Sequence, residues 1–192
     1  MSHDIKNILL VGVGGQGILL ASEILSEAAM LAGFDVKKSE IHGMSQRGGS
    51  VVSHVRYGTE VFSPIVPEGE GDILFGFELM ETARSLPLLK PGGTVVANDL
   101  QISPPSVLMG QETYPAGLAN RIKGQFADFL SVDGQHLAAE AGNVKAANTV
   151  LLGVVSRRLN IPEEFWMKAL EKMVPRKAVD VNKKAFLMGR EL

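Results

Sequence analysis

The chain has 192 residues, 45% of them hydrophobic and 21% charged, with a formal net charge of −2. That length suits one globular domain over residues 1–192 with a sizeable core, and the near-neutral balance lacks the basic footprint of a nucleic-acid binder. With no cysteine in the sequence, the chain carries no disulfide, cysteine nucleophile, thiolate zinc site or cysteine-ligated iron–sulfur cluster. No apolar run approaches the roughly 18 residues needed to cross a bilayer. Met1-Ser2-His3-Asp4 has no signal-peptide character, so the expected location is the cytoplasm.

Residues 6–11 read as a strand apolar on both faces, as a central parallel strand covered by helices should be. The chain then enters Gly12-Val13-Gly14-Gly15-Gln16-Gly17. Its glycines at 12, 14 and 17 meet the G-x-G-x-x-G spacing: a tight turn, a point where phosphate can approach bare backbone, and close helix–strand packing. The same spacing suits a glycine turn that does no more than let strand and helix pack. From 18 to 31, apolar Ile18, Ala21, Leu25, Ala28 and Ala32 recur at helical spacing, with Ser22, Glu23, Ser26 and Glu27 on the other side and Gly33 as the stop. Residues 34–39 read as the second strand of a nucleotide-binding half.

Residues 41–50 carry three glycines and no period, and read as a loop. Residues 51–57 alternate like a strand, and Gly58-Thr59 is placed to turn it into a second strand through Val61 and Phe62, which predicts an antiparallel hairpin. Residues 64–71 are turn-rich. A strand is expected over 72–77, a helix over 78–89 closed by Pro91-Gly92-Gly93, and a strand over 94–97. Ser103-Pro104-Pro105-Ser106 is a stiff connection, and 127–132 is the best remaining strand. Helices follow over 135–141 and 146–159, then one opened by Pro162-Glu163-Glu164, and a last one over 179–190. The expected class is α/β: a Rossmann-like, mostly parallel sheet flanked by helices, with an antiparallel hairpin and a helical C-terminal region.

A dinucleotide site places an acid at the end of the second strand to bind a ribose hydroxyl, and Glu40 is the nearby candidate. Lys37 and Lys38 fit either a 2′-phosphate or a solvated face. Gly43-Met44-Ser45-Gln46-Arg47-Gly48-Gly49-Ser50 sets an arginine beside two permissive glycines, which fits either a second place for an anion or carboxylate or a mobile loop with a solvated arginine. His42, His54 and His136 are too scattered for a metal set, and Ser45, Ser50 and Ser53 lack a nucleophile elbow. Asp72 and Glu78 read as helix-end or loop carboxylates. Trp166, on a helix with Phe165, Ala169 and Met173, fits either core or a docking face.

In combination, Gly12-x-Gly14-Gly15-Gln16-Gly17, Gln46-Arg47-Gly48-Gly49-Ser50 and Ser53-His54-Val55-Arg56 resemble the gamma-type subunit or domain of the 2-oxoacid:ferredoxin oxidoreductases. The run from Glu40 to Gly49 is most similar to the branch acting on indolepyruvate. Asn148-Thr149-Val150-Leu151-Leu152-Gly153, Val181-Asn182-Lys183-Lys184-Ala185-Phe186 and Gly189-Arg190-Glu191 resemble that family's C-terminal region.

The resemblance implies CoA-dependent oxidative decarboxylation of a 2-oxoacid, an aryl pyruvate here, to an acyl-CoA and CO2. It implies thiamine diphosphate chemistry, with electrons passing through iron–sulfur clusters to ferredoxin. This chain has neither cysteines nor the thiamine-binding Gly-Asp-Gly and Asn-Asn signature, so those cofactors are expected on a larger, cysteine-containing alpha subunit. For this chain the resemblance implies that Gly12, Gly14, Gly15, Gln16 and Gly17 face the CoA pyrophosphate or another anion. Ser45, Gln46, Arg47, Gly48 and Gly49 would then order a loop near a shared site; no catalytic residue and no metal ligand is assigned. Two alternatives stay open: a stand-alone NAD(P)-dependent oxidoreductase, and a non-catalytic nucleotide-sensing subunit.

Overall fold

Apolar runs become interior strands. The computed structural model of the protein describes residues 5–42 and 48–192. In it β1 (Lys6–Val13) holds Ile8, Leu9, Leu10 and Val11 fully out of water. β1 leads through the glycine loop into α1 (Ile18–Leu31), whose N-cap Gly17 has the left-handed φ of 81°. The other strands are β2 (Asp35–His42), β3 (Ser50–Gly58), β4 (Gly71–Gly76), β5 (Leu89–Asn98) and β6 (Phe129–Val132).

They form one six-stranded sheet in the order β2-β3-β1-β4-β5-β6. β1, β4, β5 and β6 pair in parallel, whereas β3 is antiparallel to both β1 and β2. The hairpin expected through Gly58-Thr59 does not form, because 61–62 are in no strand; the antiparallel pair beside β1 is instead β3 with β2. β3 already uses both its edges, so no third partner can pair with it. Side chains hold 59–66 instead. Arg56 Nη1 donates to the carbonyls of Ser63 (2.9 Å) and Ile65 (3.1 Å), and Asp35 accepts from the Val61 amide (2.8 Å).

Helices cover both faces. Against α1 pack α6 (Ala147–Ser156) and α7 (Glu163–Met173), with α8 (Val179–Arg190) lying on α6 and α7, burying Trp166 completely, with its indole N–H on the Ile161 carbonyl at 3.2 Å. That settles Trp166 as core rather than docking face. α1 is more deeply buried than its pattern suggests: Ser22, Ser26 and Glu27 are all buried, because α7 covers the flank that reads as polar. The two hydroxyls donate to their own helix at Leu19 and Ser22 (2.8 and 2.7 Å), and Glu27 pairs with Lys172 of α7 at 2.8 Å.

The opposite face carries α2 (Leu79–Ser85), the short α3 (Pro105–Leu108) and α4 (Leu118–Gln125); α5 (Gly134–Ala141) follows β6. The helix expected over 78–89 ends at Ser85 and tightens into a 3-10 turn at Leu86–Leu88, because Pro87 brings no N–H to continue it. No helix among the described residues is long and apolar enough to cross a membrane.

Successive side chains of β3 point to opposite faces. Val51, Val55 and Tyr57 join the core under α1, as the alternation requires of Ser53, while His54 lies on the other face. His54 is buried, and its Nδ1 accepts the Val66 amide at 3.2 Å. Burial holds its pKa below the ordinary imidazole range. The unfolded chain therefore takes up a proton at His54 as pH falls through about 6.5, while the folded one resists. Stability contributed by neutral His54 is complete above that range and is lost on acidification. We expect the urea midpoint to fall from pH 7.5 to pH 5.5, with a smaller fall in His54→Gln; equal slopes in the two proteins would exclude this residue as the cause.

Candidate functional site

In an open α/β sheet, ligands are received at the carboxyl ends of the parallel strands. At that edge β1 ends in the glycine loop and antiparallel β3 begins, with Val13 opposite Ser50 and Gly12 opposite Val51. The two motifs, well separated in sequence, are thereby joined. The Gly14 amide donates to the Gly49 carbonyl at 2.9 Å, and the Gly48 amide reaches the Gly14 carbonyl at 3.5 Å. Ser45, Gln46 and Arg47 lie outside the described residues.

The glycines divide by what surrounds them. A Cβ on Gly12 would lie 2.8 Å from Phe77 Cβ and 2.6 Å from Gln16 Oε1, and one on Gly17 would lie 2.7 Å from Asn148 Nδ2. Those two serve packing. Gly15 (φ +106°) and Gly48 (φ +78°) are in the left-handed region with nothing within 4 Å of an added Cβ. Their backbone faces open space. Gln16 does not reach outward: its Oε1 accepts the Val13 amide at 2.7 Å and its Nε2 donates to the Phe77 carbonyl at 2.8 Å. It fixes the loop's shape against the end of β4.

Two further elements complete this edge. Asn98, at the end of β5, also donates to the Phe77 carbonyl (3.3 Å) and accepts the Gly134 amide (3.0 Å), tying three strand ends to one point. Asn148, in the first turn of α6, donates to the Gly17 carbonyl at 3.3 Å. Behind it, Thr149 donates to Asn182 of α8 at 2.6 Å. Asn148 is a site residue that spacing could not locate; its only signal was the likeness of the Asn148–Gly153 run to the family's C-terminal region.

Phe77 is followed by Glu78, whose carboxylate is wholly buried. It caps α2 through the Glu81 amide (2.8 Å) and accepts from the Ile102 amide (3.1 Å) and the Tyr114 hydroxyl (2.5 Å). Burial, then the bond to Glu78, raises the Tyr114 pKa well above the ordinary phenol range, so this hydroxyl stays a donor. Glu78 is thus a structural cap, as its position before a helix implies. Among the described residues, no group of three or more His, Asp or Glu side chains is placed to hold a metal ion. Ser53 Oγ is buried without a hydrogen-bond partner, and His54 points away from it, so no serine–histidine pair forms.

A model of the family described as "Pyruvate ferredoxin/flavodoxin oxidoreductase" matches residues 7–192. The chain belongs to this family. It is 44% identical over 188 residues, covering 95% of this chain and 93% of the relative, to "Indolepyruvate oxidoreductase subunit IorB" of Pyrococcus horikoshii. The same name is carried by a Methanothermobacter thermautotrophicus relative at 35% identity, covering 95% of each chain. Among solved structures, the gamma subunit of a keto/oxoacid ferredoxin oxidoreductase from Geobacter sulfurreducens superposes with a TM-score of 0.71 at 28% identity, covering 97% of this chain and 96% of that one. The expected α/β fold and family are therefore those of the chain.

The dinucleotide arrangement is not. β3 occupies the position beside β1 that the second strand takes in a dinucleotide-binding half, so Glu40 lies one strand further out. Glu40 is paired with Lys38 at 2.9 Å and lies 3.4 Å from the Ser22 hydroxyl, and Lys37 is paired with Asp35. Both lysines are paired within the fold, which leaves the glycine spacing alone in favour of a nicotinamide cofactor.

Proposed function

We propose that this chain is the small, cluster-free subunit of a 2-oxoacid:ferredoxin oxidoreductase of the indolepyruvate type, supporting CoA-dependent oxidative decarboxylation of an aryl pyruvate to an acyl-CoA. Its glycine loop and the Gly48-Gly49 turn form one wall of a site completed by a larger subunit. The carrying observation is the pair of open left-handed glycines, Gly15 and Gly48, on two strand-end loops joined by the Gly14–Gly49 hydrogen bond at the ligand-receiving edge of the sheet. Exposed glycine backbone beside the start of α1 suits a phosphate or pyrophosphate. Arg47 adds a guanidinium in the same loop sequence.

The division of labour follows from composition. Without cysteine, this chain has no thiolate for an iron–sulfur cluster. We assign the clusters and thiamine diphosphate to the larger, cysteine-containing subunit, and electron delivery to ferredoxin with them. Exposed Leu19 and Ile41, on the elements flanking the two loops, suit coverage by that partner. What this chain contributes is a shaped, rigid wall. Gln16 and Asn98 hold the strand ends in place, so the loop amides are preorganised before a ligand arrives.

In the reconstituted complex, Gly15→Val and Arg47→Ala should each raise the KM for CoA about ten-fold or more, the size of one lost charge-assisted contact. The KM for the 2-oxoacid should change little. Normal assembly with unaltered CoA kinetics in both variants would remove CoA from this wall.

A further inference from the structure

A cavity of about 940 Å³ lies on the face of the sheet away from α1, between α2, α4 and the segment that carries α3. It shares no residue with the glycine-loop site. Its lining is largely apolar, with Met80, Leu118, Ile122 and Phe126 among the side chains. Two guanidiniums also line it, Arg84 from the last turn of α2 and Arg121 from α4. Arg84 donates through Nη1 to Glu81 at 2.7 Å, whereas the Arg121 guanidinium has no hydrogen bond or ion pair with any described residue. Glu112, the one carboxylate in the lining, accepts from Ser106 Oγ at 2.8 Å.

This volume and character fall in the range of small-molecule sites, about 300–1,000 Å³, apolar with a few convergent polar groups. A guanidinium supplies parallel N–H donors that match a carboxylate. We propose that the cavity is a binding site for an amphipathic organic carboxylate, its apolar body against Leu118, Ile122 and Phe126 and its carboxylate on Arg121. The wall opposite α4 is held in place by Glu78, which binds the segment at both ends, Ile102 and Tyr114. The inference does not depend on the CoA reading, because the residues and the ligand differ.

The test titrates the full chain, and the chain assembled with its larger partner, with decanoate and phenylpropanoate. Decanol and phenylpropanol serve as neutral analogues, and binding is followed by calorimetry and, for the free chain, by backbone amide NMR shifts. Saturable binding of the carboxylates is expected, with shifts centred on α4 and alcohols about ten-fold weaker. Arg121→Gln should bring the carboxylates down to the alcohols' affinity without moving the thermal midpoint. No saturation at millimolar carboxylate, equal affinity for acid and alcohol, or indifference to Arg121→Gln overturns the proposal. Binding to the free chain that vanishes in the assembled complex also overturns it, and marks the cavity as a polypeptide interface. None of these outcomes touches the CoA kinetics of Gly15→Val, so the two readings fail separately.

Discussion

Gly189→Ala is expected to destabilise the chain by at least about 3 kcal/mol, beyond the usual cost of an overpacked core position. α6 and α8 cross at a pair of glycines. An added Cβ on Gly189 would sit 1.9 Å from the Val150 carbonyl oxygen, and one on Gly153 would sit 2.1 Å from that of Phe186. The obstacle in each case is backbone, which cannot rotate aside, so the helices must separate and open the core around Val150, Ala185 and Phe186. For a chain of this size that corresponds to a melting point lower by about 6–12 °C. The control is Gly124→Ala in α4, where nothing lies within 4 Å of the new methyl. There the helix should gain about 0.5–1 kcal/mol. If thermal unfolding places Gly189→Ala beside wild type, the crossing is looser than described. The same contact accounts for the Gly189-Arg190 pair in the C-terminal region. Next to the crossing glycine, Arg190 donates to Ser156 of α6 at 2.8 Å and pairs with Glu163 of α7 at 3.1 Å, locking three helices together.

Glu78→Ala should cost about 3–5 kcal/mol, because it removes a buried carboxylate that accepts from the Glu81 amide, the Ile102 amide and the Tyr114 hydroxyl together. Tyr114→Phe removes one of those bonds and should cost about 1–2 kcal/mol. The loss should be local first. Hydrogen exchange at the Ile102 amide should quicken in both variants, more in Glu78→Ala, while amides of β1 keep their protection. Ultraviolet titration offers an independent check: burial and Glu78 keep the Tyr114 phenol un-ionised through the ordinary tyrosine range, and Glu78→Gln should bring its titration down towards that range. Uniform exchange across the sheet in Glu78→Ala would mean that this carboxylate supports the whole fold rather than the segment it ties down.

Much of the architecture was legible. α1 begins at Ile18 and ends at Leu31, as its apolar spacing and glycine stop require, and α8 spans the expected 179–190. β1 and β4 follow from continuous apolar runs. Periodicity failed where an element is short or half-exposed: α4 buries only Leu118 and Ile122, too few points to define a period. It also failed where burial is set by a distant helix, as on the Ser22–Glu27 flank of α1. Of the site, the glycines were visible as motifs, but not their division into packing glycines and open ones, which depends on Phe77 and Asn148, far along the chain.

By itself, then, the sequence determined the class, the strand–glycine loop–helix opening and the family, because each rests on local periodicity or on residues that stand together in a motif. It also settled that this chain has no thiolate for a cluster, a matter of composition alone. Only the tertiary structure decided which strand lies beside β1. Strand pairing is a long-range choice of hydrogen-bonding partner, and here antiparallel β3 took the place that a dinucleotide fold gives to its second strand. That one exchange moved Glu40 away from the glycine loop and brought Gly49 to it. Asn148 reaches Gly17 from 131 residues away for the same kind of reason: the packing of α6 against α1, not any spacing along the chain, sets where its amide points.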